Sequence, residues 1–183
     1  MINVVLVYPE IPNNTGNIVR TCAVTGAKLH VIEPCGFSWE DKYLKRSGLD
    51  YWELSDVKRY PDMQTFLKQN FGDNASVTGI IADDLYKTAQ DSGKQMLFAS
   101  TKADHNHVDV KYDDDCYVFF GRETKGLDEE WLKVNYAQAV RIPMRAQARS
   151  LNLANSVAII IYEYLRQHDF EGLSEEGRLT KYD

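Results

Sequence analysis

Four polar loops carry most of the side chains in this chain that could do chemistry: PEIPNNTGN (9–17), EPCGFS (33–38), GRETKG (121–126) and PMRAQARSLN (143–152). In the first, Asn14, Asn17 and Arg20 recur at three-residue steps. On the opening turns of a helix, Asn17 and Arg20 would share a face, with Asn14 just before it. Two readings fit that array. Either the three side chains hold a polar ligand, or Asn14 or Thr15 caps the helix and Arg20 is a surface cation. These residues alone favour the cap. In the last loop, Ser150 and Asn152 precede a helix, while Asn155 and Ser156 lie in its first turn. Four polar side chains at the mouth of an otherwise apolar helix exceed what one cap requires. In GRETKG, Gly121 ends a strand, Glu123 follows and Gly126 closes the turn, a pattern that tight-turn chemistry alone could produce. No loop is a phosphate cradle, because GxxxxGK[ST] is missing and GxGxxG does not follow the first strand. That argues against a nucleoside triphosphate or a standard dinucleotide as ligand.

The elements that would position these loops alternate between β-rich runs and helical periodicity. Strands are predicted at Asn3 to Tyr8, Lys28 to Ile32, Thr78 to Ala82, Met96 to Ser100, Cys116 to Phe120 and Gln138 to Ile142. Helices are predicted from Gly16 to about Thr25, capped by Thr15 and stopped by Gly26, and over Asp41 to Arg46 and Asp62 to Gln69. A helical piece over Asp84 to Gln90 and a helix from about Leu127 to Val134 follow. The last helix, Leu153 to about Gln167, is apolar on nearly every side through Ile161, which predicts burial between other elements. The alternation implies an α/β fold with a mostly parallel sheet flanked by helices. In such sheets the ligand sits outside the carboxyl ends of the strands, so the four loops should converge on one site.

The 183 residues, 44% hydrophobic and 26% charged, suit a single globular domain over 1–183 without disulfide or metal staples. No apolar run reaches the length of a membrane span, and the longest, Val157 to Leu165, holds Glu163. MINVVLVYPE lacks a basic leader and a small-residue cleavage site. Cys22, Cys35 and Cys116 form no CxxC pair, which predicts reduced thiols in the cytoplasm rather than a zinc site. His105 and His107 read as a solvated acidic loop, with no third ligand at suitable spacing. The net charge of −6 is not the basic excess of most nucleic-acid binders. The acidity is nevertheless local, concentrated in residues 104–115 and in the tail. Between these segments, Arg141, Arg145 and Arg149 fall within nine residues without one acid.

Taken in order, NNTGNIVRTC, FFGRETKGL and RIPMRAQARSLNLANSVAIIIYE resemble the three motifs of the SPOUT-class RNA 2′-O-methyltransferases, the SpoU/TrmH group. YPEIPNNTGNIVRTCAVTGAKLHVIEPCGF and DKYLKRSGLDYWEL further resemble the minimal tRNA wobble-position cytidine/uridine 2′-O-methyltransferases of the TrmL (YibK) type. The likeness covers most of residues 2–70 and 96–167. Residues 71–95 read as an insertion and 172–183 as an extra acidic tail. The resemblance implies a SPOUT α/β-knot, a deep trefoil knot on the C-terminal side, and an obligate homodimer whose active site is shared between subunits. It implies S-adenosylmethionine as cofactor, leaving as S-adenosylhomocysteine, bound around Ala99, Gly121, Ile142, Ser150 and Leu151. It assigns catalysis to Arg20, with Asn14, Glu123, Ser150 and Asn152 at the other functional positions, and no metal. The implied substrate is the ribose of nucleotide 34 in the anticodon stem-loop of a tRNA, with leucine tRNAs the first expectation. Arg122, Lys125, Arg141, Arg145 and Arg149, with Lys45 and Arg46, are the candidate phosphate contacts. The alternatives are another tRNA or rRNA ribose, or a knotted RNA-binding protein without catalysis.

Overall fold

The apolar runs NVVLV, KLHVI and CYVFF form three adjacent central strands, each covered on both faces as continuous runs in parallel sheets are. The structure, a computed structural model, describes residues 1–40, 42, 44, 51, 54–72, 91–174 and 176–179. Within these, strands β1 (Asn3–Val7), β2 (Lys28–Ile32), β3 (Val57–Tyr60), β4 (Gln95–Ala99), β5 (His105–Asn106), β6 (Cys116–Phe120) and β7 (Ala139–Arg141) build one sheet. Its order is β3-β2-β1-β6-β4-β7-β5, with every pair parallel. Helices α1 (Pro12–Thr25), α2 (Met63–Phe71), α3 (Glu129–Val134) and α4 (Leu153–Gln167) complete the fold.

Period-two alternation divides the sheet into two cores. Val4, Leu6, Leu29, Val31, Leu97, Val118 and Phe120 pack with Ile18, Val19 and Cys22 of α1 and with Val157, Ile160 and Ile161 of α4. Their neighbours Val5, Val7, Phe98, Tyr117 and Phe119 face the other way, onto Phe66 and Leu67 of α2 and Trp131 and Leu132 of α3. Against α1, helix α4 buries Ala154, Val157, Ile160 and Ile161, yet Ile159 and Tyr162 stay 37% and 50% exposed. The expected all-round burial of α4 is therefore incomplete in a single chain.

Several boundaries differ from expectation for identifiable reasons. Helix α1 starts at Pro12, whose fixed φ suits the first helical position, and not at Gly16. Thr15 is consequently interior, fully buried, with its hydroxyl unpartnered among the described residues. Helix α3 starts only at Glu129, where the Asp128 carboxylate accepts the Glu130 amide. The sequence reading missed β3, whose burial is intermittent, and β5, which is two residues long. His105 is thus an edge-strand residue, and His107, 9% exposed, is buried rather than solvated. The elements expected at Thr78 to Ala82 and Asp84 to Gln90 lie outside the described residues. So does Asp41 to Arg46, apart from positions 42 and 44.

One polar network is built into the second core. His30 Nδ1 lies 2.9 Å from the Tyr60 hydroxyl and Nε2 lies 3.2 Å from Asn3 Oδ1. An amide oxygen only accepts, so Nε2–H donates and the Tyr60 hydroxyl donates to Nδ1. Burial, reinforced by Lys58, pushes the imidazole pKa down to about 4. The unfolded chain would take up that proton near pH 6.5. Folding free energy should therefore fall by roughly 3 kcal/mol between about pH 6.5 and 4, and the His30 contribution should flatten below that window. Urea midpoints measured across this range should show the drop in the native chain and a shallower one in His30→Gln. Equal slopes would contradict the assignment.

Candidate active site

The sheet order reverses between β1 and β6: from β1 the chain winds outward through β2 and β3, and β4, β7 and β5 lie beyond β6. Crevices open at the carboxyl ends of strands beside such a reversal. Here a cleft of 530 Å³ is walled by the loops that leave β4, β6 and β7 and by the first turn of α1. All five residues expected to hold the cofactor, Ala99, Gly121, Ile142, Ser150 and Leu151, line it, as do Asn14, Glu123 and Asn152. The EPCGFS loop is not part of the lining. It buttresses the site from outside, since Gly36 N–H donates to the Pro9 carbonyl at 2.8 Å. A Cβ on Gly36 would come within 2.8 Å of Glu10 Cα.

A hydrogen-bonded relay joins three segments distant in sequence. The Glu123 carboxylate accepts from the Glu10 amide at 2.8 Å, the Ile11 amide at 3.2 Å and Asn14 Nδ2 at 3.0 Å. It thereby satisfies the start of α1, whose N-cap Ile11 has no capping side chain. Asn14 Oδ1 in turn accepts from Asn152 Nδ2 at 2.9 Å. Asn152 is the N-cap of α4, its Oδ1 accepting the amides of Ala154 and Asn155. Asn152 thus caps α4, whereas neither Asn14 nor Thr15 caps α1 as expected: both lie inside that helix, and the Ile11 amide at its start is held by Glu123, more than a hundred residues away. Glu10, not singled out from the sequence, reciprocates: its carboxylate accepts from the Thr124 hydroxyl at 2.7 Å and amide at 3.1 Å. The Thr124 hydroxyl bond is the main cause holding the Glu10 carboxyl below its usual pKa. The sequence held no local signal for Glu10, because its partner is 114 residues downstream.

The loop after β6 is closed on itself by paired bonds between Arg122 and Gly126, with Gly126 at φ 72°. A Cβ on Gly121 would lie 2.0 Å from the Gly126 carbonyl carbon and 2.1 Å from the Leu127 nitrogen. Backbone must move to admit it. Gly121→Ala should therefore weaken S-adenosylhomocysteine binding at least about tenfold, as misplaced site geometry does, and lower Tm. Calorimetric titration checks this, and unchanged affinity would show that the loop is not a wall of the binding cleft.

Ser150 and Leu151 offer a further recognition element. Among the described residues their amide N–H groups have no hydrogen-bond partner, and both residues line the cleft. Exposed amides beside the apolar side chains of Ile142, Leu151 and Leu132 suit an adenine and a thioether-like chain.

Arg20 stands apart. It is exposed on α1, its guanidinium 4.8 Å from the Tyr51 ring centroid, and it is not among the residues lining the cleft. Of the residues expected to act in catalysis or hold the cofactor, Arg20 alone is not among those lining the cleft. Of the candidate phosphate contacts, Arg122, Lys125 and Arg149 line the cleft, Arg145 is exposed nearby in sequence, and Arg141 is half-buried at the end of β7. Lys45 and Arg46 lie outside the described residues. Among the described residues no group of acids, histidines and cysteines could hold a metal ion.

Comparison with known proteins identifies the family. A tRNA (cytidine(34)-2'-O)-methyltransferase of Photorhabdus asymbiotica is 43% identical over 173 residues, covering 94% of this chain and 97% of the relative. A structure solved in work on the 2-OH methylation of C/U34 on tRNA is 33% identical with a TM-score of 0.74, covering 92% of this chain and 97% of that one. The SpoU methyltransferase AviRb of Streptomyces viridochromogenes, in complex with the cofactor AdoMet, shares the fold at 24% identity and a TM-score of 0.70, over 91% of this chain and 60% of that one. The profile of the SpoU rRNA methylase family matches residues 1–162. The chain belongs to the SpoU rRNA methylase family.

Proposed function

We propose that this protein transfers a methyl group from S-adenosylmethionine to the ribose 2′-hydroxyl of nucleotide 34 in the anticodon stem-loop of a tRNA. The observation that carries the proposal is the Glu123–Asn14–Asn152 relay, fixed at the edge of a cleft lined by all five candidate cofactor contacts. Close relatives that perform this reaction support the choice of nucleotide.

Bound in that cleft, S-adenosylmethionine would supply an electrophilic methyl group on sulfur. The remaining work falls to the chain. Gly121, Ser150 and Leu151 present backbone to the ligand, while Ala99 and Ile142 close the apolar sides and exclude water. A ribose hydroxyl is a weak nucleophile until its proton leaves, so a group must stabilise the developing oxyanion. A guanidinium stays protonated and suits that role better than proton abstraction. Arg20 is the candidate, with Asn14 and Glu123 orienting Arg20 or the ribose and Ser150 and Asn152 holding substrate phosphate or cofactor. Arg122, Lys125, Arg145 and Arg149 would contact RNA phosphates.

Arg20 lies off the cleft of its own chain, which favours a homodimer. Helices α1 and α4 pack together yet leave Val24, Ile159 and Tyr162 exposed. A second copy seated there would cover these apolar side chains and carry Arg20 of the partner subunit toward the cleft. The same reading includes one domain whose C-terminal segment, from β7 through α4, is threaded as a trefoil knot, with residues 71–95 as an insertion. No helix among the described residues is long and apolar enough to cross a membrane, and with the unpaired thiols this supports a cytoplasmic enzyme.

Incubating purified protein with labelled S-adenosylmethionine and total tRNA should place label in the tRNA fraction. Absence of label in any RNA, with binding retained, would favour a knotted RNA-binding protein instead.

A further inference from the structure

A second cleft, of 610 Å³, opens on the far side of the β6 loop. It shares Lys102, Arg122, Lys125, Gly126 and Leu127 with the first, so that one loop forms the wall between them. Val7, Leu127 and Trp131 give it an apolar floor. At its edge stands Tyr8, whose φ of 55° lies in the left-handed region although it is bulky and precedes Pro9. The Arg122 guanidinium sits over the Tyr8 ring, 5.1 Å from its centroid.

The charges around this aromatic–guanidinium pair are unevenly committed. Lys102 is ion-paired with Glu129, and the Asp128 carboxylate accepts the Glu130 amide. The Glu10 carboxylate, which feels both Arg122 and Lys125, is bonded to Thr124. No ion pair among the described residues engages Arg122 or Lys125. A flat π-face, a stacked planar cation and a nearby free ammonium over an apolar floor match a nucleobase with its phosphate.

We infer that this second cleft is a nucleotide subsite: it takes the base of a nucleotide flanking the methylated one, stacked on Tyr8, with its phosphate on Arg122 and Lys125. The inference rests on the RNA methyltransferase reading and adds where the neighbouring nucleotide goes. Splaying a flanking base into this cleft would leave the target ribose beside the first, since the two pockets are separated only by the Arg122–Leu127 loop.

Two measurements test it. An anticodon stem-loop carrying 5-iodouridine next to nucleotide 34, irradiated in complex with the native protein, should cross-link to the tryptic peptide Met1–Arg20 at Tyr8. Adducts confined to other peptides would overturn the subsite, whatever the variants do. In steady-state assays, Tyr8→Leu should raise KM for the tRNA about tenfold, with kcat and S-adenosylhomocysteine affinity within about twofold, whereas Tyr8→Phe should keep the native KM. An unchanged KM in Tyr8→Leu, with the native enzyme methylating tRNA normally, overturns the subsite alone. A native enzyme that transfers no methyl to RNA overturns the function reading and the subsite with it.

Discussion

Replacing Arg20 with alanine should lower kcat for methyl transfer by about 10²–10³-fold, the range seen when one stabiliser of a developing oxyanion is removed. The affinity for S-adenosylhomocysteine should change by less than about twofold, because Arg20 does not line the cleft that holds the candidate cofactor contacts. The split between the two readouts is the informative part. Arg20 also lies over the Tyr51 ring on exposed surface, a contact worth only about 0.5–1 kcal/mol at such sites. A purely structural role would therefore give a small shift in Tm and little loss of rate. If the active site is shared, mixing Arg20→Ala chains with Glu123→Gln chains should recover activity that neither has alone. One cleft in each mixed dimer would then combine an intact Glu123 with Arg20 of the partner subunit. No recovery on mixing would confine Arg20 to its own chain.

Glu123→Gln should lower kcat about 10²-fold, the loss expected when a reacting group is displaced by about an ångström. The carboxylate accepts three hydrogen bonds at the start of α1: from the amides of Glu10 and Ile11, which precede the helix, and from Asn14 in its first turn. A glutamine has one acceptor oxygen, so its NH₂ must face at least one of those donors. Either the Glu10 amide loses its acceptor, or the Ile11 amide and Asn14 lose theirs; the first shifts the entry to α1 and the second also frees the amide that meets Asn152. Hydrogen bonds to charged groups contribute about 1.5–3 kcal/mol, so stability should fall by a few kcal/mol, visible as a lower Tm. Glu123→Asp, which keeps the charge but shortens the reach, should fall between the two in both rate and Tm. A Glu123→Gln variant with native kcat and native Tm would remove the relay from the account.

What the sequence disclosed divides along a physical line. Runs with strong period and strong burial, NVVLV, KLHVI, CYVFF and the α4 segment, were legible to within a residue, because local pattern and tertiary environment agree there. That Ala99, Gly121, Ile142, Ser150 and Leu151 line one cleft was legible through motif resemblance, since their spacing follows the ends of those strands. Strand β3 is shielded too unevenly to alternate cleanly, and β5 is too short for any periodicity to register. The start of α1 was misplaced because its cap is not a local side chain but Glu123, brought in by the neighbouring β1–β6 pairing. Glu10 and Tyr8 escaped notice for the same reason: what gives each its significance, Thr124 in one case and Arg122 in the other, belongs to a loop more than a hundred residues away.

Methylation of one oxygen atom on one nucleotide is read directly by nuclease digestion followed by mass spectrometry. After incubation with S-adenosylmethionine, tRNA from cells lacking this modification should gain about 14 Da (one CH₂) on the ribose of nucleotide 34, and Arg20→Ala protein should add it at least about 10²-fold more slowly. A methyl group found on a base, or on a ribose elsewhere in the tRNA with nucleotide 34 untouched, would contradict the account.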